Sequence, residues 1–218
     1  MSWRRNDDPK ADRSARGYHH GNLKEALIAA AMGLIGEKGP NGFTFAEAAR
    51  MAGVSPAAPY RHYRDKDELL ADVATRGFQA FEAALAQAWD QGRPSPEAAF
   101  NRLGRAYLAF AHDQPAYYTA MFEAGVPLDA SPELRAAADL AFQNLRTAAE
   151  ALTARLPAER RPPALMMALH IWSMSHGVAA LFGRADRGRR PLPMSAGDLL
   201  EAGMLIYLDG LGLGRPAK

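Results

Sequence analysis

The sequence predicts an all-α protein, in which an N-terminal three-helix unit built around a helix-turn-helix precedes a larger helical domain. Three observations carry that prediction. The run from Thr44 to Leu70 has the small-residue, glycine, apolar and cap spacing of two short helices joined by a tight turn. Serine caps followed directly by proline, the start signal of a helix, recur at Ser55, Ser95 and Ser131. No stretch of the chain shows the apolar–polar alternation of a half-buried strand, and no short internal repeat is evident.

Taken in order, residues 1–16 read as a basic arm, 17–65 as the helix-turn-helix domain and 66–218 as the second helical domain. Within the arm and the start of the first helix, Arg4, Arg5, Lys10, Arg13, Arg16 and Lys24 outnumber Asp7, Asp8 and Asp12, and His19 and His20 add donors. The stretch before Ser14 reads equally as a solvated tail. Asn22 is positioned to cap a first helix whose stripe is Leu23, Leu27, Ala31, Leu34 and Ile35, and Lys38, Gly39 and Pro40 end it. Gly33 and Gly36 weaken that helix by roughly 1 kcal/mol each relative to alanine, so it depends on packing.

Thr44 caps the next helix, Phe45 to Met51, where Ala48 and Ala49 allow a close crossing. Gly53 stops it in the left-handed conformation that glycine takes cheaply, and Val54 plugs the turn. Ser55 with Pro56 then opens a second helix running to Tyr63. Pro59 falls at its fourth position and forfeits a bond to the Ser55 carbonyl, which predicts a loosened first turn. No acid lies between Glu47 and Asp65, a composition suited to a negatively charged surface. Asp65 and Glu68 give a capping-box-like start to a long helix from Lys66 to about Asp90, with Leu70, Val73, Ala74, Phe78, Phe81, Leu85 and Trp89 as its stripe.

Further helices follow, each bounded by proline or glycine. The first carries Phe100, Leu103, Tyr107 and Phe110, and after Pro115 comes an aromatic segment of Tyr117, Tyr118, Met121 and Phe122. Next is a long helix from Ser131 with Leu134, Ala138, Ala141, Phe142, Leu145, Ala149 and Leu152. From Ala164 to Gly183 there is no formal charge, and Leu165, Leu169, Trp172, His176 and Ala180 fall on one stripe while His170 points away. Its length would span a bilayer, but His170, Ser173, Ser175 and His176 in the middle favour a helix buried among others, so no membrane partner is expected. A loop rich in arginine, 184–193, leads to a last helix from Ser195 to about Leu213.

Composition narrows the chemistry. The 218 residues suffice for two modest domains, and a net charge of only +2 excludes a uniformly basic coat. Absence of cysteine removes disulfides, thiolate zinc sites and thiol nucleophiles, which fits a cytoplasmic protein, and no secretory signal is read. No zincin, nucleophile-elbow, phosphate-loop or dinucleotide motif occurs, so neither catalysis nor a cofactor or metal is expected.

The segment ending AAPYRHY with its K-D-E-L helix start, together with GYHHGNLKEALIAAAMGLIGEKGPNGFT from Gly17 to Thr44, resembles the DNA-binding part of the tetracycline-repressor (TetR) family of bacterial regulators. The W-x-x-x-H-G pattern from Trp172 to Gly177, and Ala106 to Phe122, are similar to that family's WHG-type C-terminal domain. The resemblance implies a helical second domain that dimerises through its last two long helices and holds a small effector. Expected DNA contacts are Thr44, Tyr60, His62 and Lys66, mainly to phosphate, Ala57, Ala58 and Arg61 as base readers, and Ser55 at the start of the segment. Expected effector contacts are Phe110, Tyr117, Tyr118, Met121, Phe122, Trp172 and His176; Tyr117, Tyr118, Met121 and Phe122 read equally as core, and Trp172 and His176 read first as packing residues. The expected partners are double-stranded operator DNA, a second copy of the chain and a small-molecule effector.

Overall fold

The computed structural model describes residues 23–183 and 192–213, and every described regular element is helical. Asn22, the arm and most of the arginine-rich loop lie outside the described residues. Helix α1 spans Leu23–Lys38 and buries Leu27, Ile28, Ala30, Ala31, Leu34 and Ile35, the expected stripe widened by Ile28 and Ala30, with Leu23 only half-buried. Helix α2, Phe45–Met51, is capped by a reciprocal box. The Thr44 hydroxyl accepts from the Glu47 amide while the Glu47 carboxylate accepts from the Thr44 amide. Ala48 and Ala49 are fully buried, where α1 crosses. At its end Gly53 has φ +75°, its amide bonds to the Arg50 carbonyl, and the Val54 amide reaches back to that of Ala49.

The element after this turn differs from the sequence expectation. Ser55 caps nothing, and the segment closes as a four-residue 3-10 turn, Ala58–Arg61, instead of an α-helix from Pro56 to Tyr63. The cause is Pro59. It cannot donate to the Ser55 carbonyl, so the Ala58 amide takes that acceptor at 3.0 Å and the chain tightens. Pro59 itself is buried, at the start of the turn where no N–H is missed.

Helix α3, Lys66–Trp89, is the spine of the molecule and packs against α1 at one end and against α4, α5 and α6 along its length. Its cap is Asp65, whose side chain accepts from the Glu68 amide, but Glu68 returns to the amide of Arg64, one residue before the expected partner. The remaining helices are α4 (Pro96–Asp113), α5 (Pro115–Phe122), α6 (Pro132–Thr153), α7 (Ala164–Leu181) and α8 (Ala196–Gly210). Ser95, Ser131 and Ser195 each accept a bond from the amide three residues on, as the serine-cap pattern predicts.

Helix α7 corrects two expectations. Its buried residues are Met167, Ala168, Ile171, Ser175, Val178 and Ala179, whereas Leu165, Leu169 and Ala180 face outward and Trp172 and His176 sit half-buried on the flank. A uniformly apolar helix carries no polar face to fix its rotation, so the stripe is decided by its neighbours α4, α6 and α8. Nor is it buried all round: six of its 18 residues are buried within one chain.

Candidate nucleic-acid interface

The turn-and-cap geometry displays a compact set of side chains. Ser55, Ala57, Tyr60, Arg61 and His62 are exposed, Ala58 is half-buried, and Tyr63 and Pro59 anchor the segment inward. Tyr60 is 63% exposed, with its ring edge-on to Phe45 at 5.1 Å, so the α2 aromatic holds the phenol upright at the surface. Arg50 and Arg64 are also exposed on either side of this segment, and the expected site left them out. The signal was available, because the acid-free window between Glu47 and Asp65 contains both.

Two of the expected contacts have structural duties. The Thr44 hydroxyl is engaged in the capping box. Lys66 donates from Nζ to the carbonyls of Pro40 (3.2 Å) and Phe43 (3.3 Å) and lies over the Phe43 ring, which ties the start of α3 to the loop between α1 and α2. An ammonium has three N–H donors, so one remains for a phosphate.

The capping box is also sensitive to acid. Hydrogen bonds from Lys38 and then from Thr44 pull the Glu47 carboxyl down to about 2 from its ordinary 4.5. The folded state therefore binds fewer protons than the unfolded chain between those values. Its stabilisation is complete above pH 4.5 and is lost as pH falls towards 2. Thermal unfolding followed over that range should show a decline that Glu47→Gln flattens; an unchanged decline would assign it to other carboxylates.

Against the middle of α3 lies an aromatic cluster held by polar bonds. Trp172 Nε1 donates to the Tyr107 hydroxyl at 3.2 Å. The hydroxyls of Tyr118 and Tyr107 lie 2.8 and 3.1 Å from His176 Nδ1. An unprotonated Nδ1 accepts from Tyr118, which leaves the imidazole neutral with its proton on Nε2. Burial pushes the His176 pKa below its ordinary 6.5, opposed by Glu123, and pushes Tyr118 up to about 12. Because the folded pKa is depressed, stability from His176 is full above pH 6.5 and falls on acidification below it. An NMR titration of the imidazole should give a midpoint below 6.5; one above it would contradict the neutral arrangement.

The structure brings most of the expected effector residues together. Phe122 packs on Phe78, Tyr118, Trp172 and His176, while Tyr117 and Met121 on the same helix lie against Gly77 of α3. Phe110 sits apart from His176 and rests on Phe81 at 5.0 Å. It alone of the set borders an open groove of about 470 Å³ between α3 and α4, lined also by Gln87, Arg102, Asp113 and Gln114. Besides the exposed His62, the other described histidines are also separate, His170 bonded to Tyr207 and His112 to Asp113. Among the described residues no three His, Asp or Glu side chains are grouped to hold a metal ion.

Comparison with known proteins finds two family matches along the chain. Residues 27–73 match the family described as bacterial regulatory proteins, tetR family, and residues 100–204 match the tetracyclin repressor-like C-terminal domain. No curated protein sequence matches significantly. A protein with unknown function from Rhodococcus sp. RHA1 is similar in structure at TM-score 0.72 and 27% identity, covering 89% of this chain and 98% of that one. The TetR family transcriptional regulator PfmR from Thermus thermophilus is similar at TM-score 0.62 and 22% identity, with 88% and 99% covered. A putative tetR family transcription regulator from Shewanella sp. PV-4 follows at TM-score 0.59 and 22% identity, with 86% and 97% covered. At those identities the two regulators bear on fold alone. With both family matches in chain order on a helix-turn-helix and a helical second domain, the chain belongs to the TetR family of DNA-binding transcriptional regulators.

Proposed function

We propose that this regulator is an effector-responsive repressor that grips a palindromic operator as a homodimer. The observation that carries the proposal is the uncovered apolar face of α7 and α8. Leu165, Leu169, Ser173, Gly177 and Leu181 follow one another at four-residue spacing on α7, with the three leucines exposed, and Leu205 and Ile206 stand on α8 at 51% and 74% exposure. Contiguous apolar surface of this kind marks an interaction site. A second copy of the same helix pair would cover it as a four-helix bundle, self-complementary about a two-fold axis. Small residues at the centre of the α7 row permit the close approach, and a Cβ added at Gly177 meets nothing within 4 Å.

Two-fold symmetry would give an operator of two inverted half-sites about 34–36 Å, or a multiple of that, apart. Tyr60, His62, Thr44, Ser55 and the free N–H of Lys66 take phosphates, while Ala57, Ala58 and Arg61 meet base edges. Affinity of this kind falls steeply with salt as counterions are released.

Helix α3 runs from that reading head to the aromatic cluster, which makes it the transmitting element. An apolar or amphipathic effector entering among Phe110, Tyr117, Tyr118, Met121, Phe122, Trp172 and His176 would shift α3. Such an effector must favour one arrangement by about 1–3 kcal/mol. Selection of bound sequences from random duplex DNA tests the proposal, followed by a small-molecule screen for release. An enriched inverted repeat supports it; enrichment of a single unrepeated site, or of none, rejects it.

A further inference from the structure

The regular structure within the reading segment is short, the four-residue 3-10 turn Ala58–Arg61 with no side-chain cap at Ala57. Its own backbone bonds give it little rigidity, so its orientation depends on what holds Tyr63, the residue that returns the chain to the core. Tyr63 is 4% exposed, and its hydroxyl donates to Asp72 Oδ2 at 2.7 Å, one turn and a half into α3. The same oxygen receives Lys24 Nζ of α1 at 2.8 Å, and that ammonium lies 5.8 Å from the centre of the Tyr63 ring. Arg76, one turn further along α3, approaches Asp72 Oδ1 at 3.5 Å and grips both oxygens of Glu25 on α1 in a fork. Glu25, Lys24, Tyr63, Asp72 and Arg76 thus form one continuous polar clamp across α1, the reading segment and α3. Burial alone would raise the Asp72 carboxyl, but the bonds from Lys24 and Tyr63 hold it below its ordinary value, so it is an anion through the neutral range.

Resting on the assignment of Ser55 to Lys66 as the DNA-reading segment, we propose that Asp72 is a positioning residue for operator recognition, acting through the Tyr63 hydroxyl to fix the angle at which Arg61 and its neighbours meet the bases. Asp72 touches no DNA. It sets the register of the segment that does. Base readout needs side chains placed to within a fraction of an ångström, whereas phosphate attraction tolerates a looser head. The clamp therefore contributes to discrimination between sequences more than to attraction for DNA in general.

The test compares binding to the selected operator and to a scrambled duplex over a salt series, for the wild-type protein, Tyr63→Phe, Asp72→Ala and the double variant. Tyr63→Phe keeps the buried ring and removes only the hydroxyl. It should weaken operator binding about tenfold, as expected for a hydrogen bond to a charged group, and leave scrambled-duplex affinity and the salt slope as they are. The operator-to-scrambled ratio falls by the same factor. A purely structural role would lower both affinities together and leave the ratio unchanged, which would overturn the proposal. The double variant should lose no more than Asp72→Ala alone, and additive losses would overturn it too. Asp72→Asn, which retains an oxygen acceptor for Tyr63, should recover part of the ratio lost in Asp72→Ala; no recovery counts against the hydroxyl link. If the wild-type protein itself prefers no duplex, the DNA-reading assignment fails and the proposal falls with it, an outcome distinct from a selective wild type with an equally selective Tyr63→Phe.

Discussion

Ile206→Glu is expected to leave a folded monomer whose operator affinity is at least about 100-fold below that of the wild-type protein. Ile206 is 74% exposed on α8, beside Leu205 at 51%, so within one chain the substitution breaks no packing and the melting temperature should move little. In the proposed bundle the same position faces a second copy. Two-fold symmetry then places two carboxylates in the apolar seam. Burying an unpaired charge costs several kcal/mol per ion, more than a modest helical interface can absorb. A monomer engages only one half-site, and the advantage of tethering two heads, about 10²–10⁴ in affinity, is lost. Sedimentation and operator titration check both halves of the expectation. A dimeric Ile206→Glu protein that binds normally would move the interface elsewhere on the surface.

Phe81→Ala should cost about 3–5 kcal/mol of unfolding free energy, enough to consume much of the stability of a small domain. Phe81 is 4% exposed at the middle of α3, with its ring edge-on to Tyr107 at 5.0 Å and tilted on Phe110 at 5.0 Å. Removing it opens a cavity lined by rings that cannot collapse inward, because Tyr107 is tethered by its bonds to Trp172 and His176. The loss therefore sits near the upper end for an aromatic truncation. Denaturant unfolding measures it, and a cost below about 1 kcal/mol would mean that α3 is not the spine of the second domain.

What the sequence made legible was punctuation and periodicity. Thr44 with Glu47, Gly53, Asp65 and the serine caps before Pro96 and Pro132 act within four residues of themselves, so their geometry follows from local rules and the helices begin and end where those rules place them. The stripes of α1, α3, α4 and α6 were likewise visible, because polar faces oppose them. The rotation of α7 was not. With no charged residue from Ala164 to Gly183, nothing along the chain distinguishes the side that meets α6 from the side left uncovered.

Pro59 shows a different limit. The lost bond was foreseeable, but whether the chain loosens an α-turn or tightens into a 3-10 turn depends on the burial of Pro59 and Tyr63 against the core, which is a tertiary fact. The same holds for the site. The exposed set from Ser55 to His62 was legible, while the bonds of Lys66 to Pro40 and Phe43, of Tyr107 to His176 and of Tyr63 to Asp72 join elements whose pairing no spacing encodes.

The most direct measurement is the mass in solution of the protein bound to the duplex it selects. Two chains on one duplex bearing an inverted repeat is the predicted result. One chain per duplex, or equal binding to any sequence at moderate salt, would contradict the account.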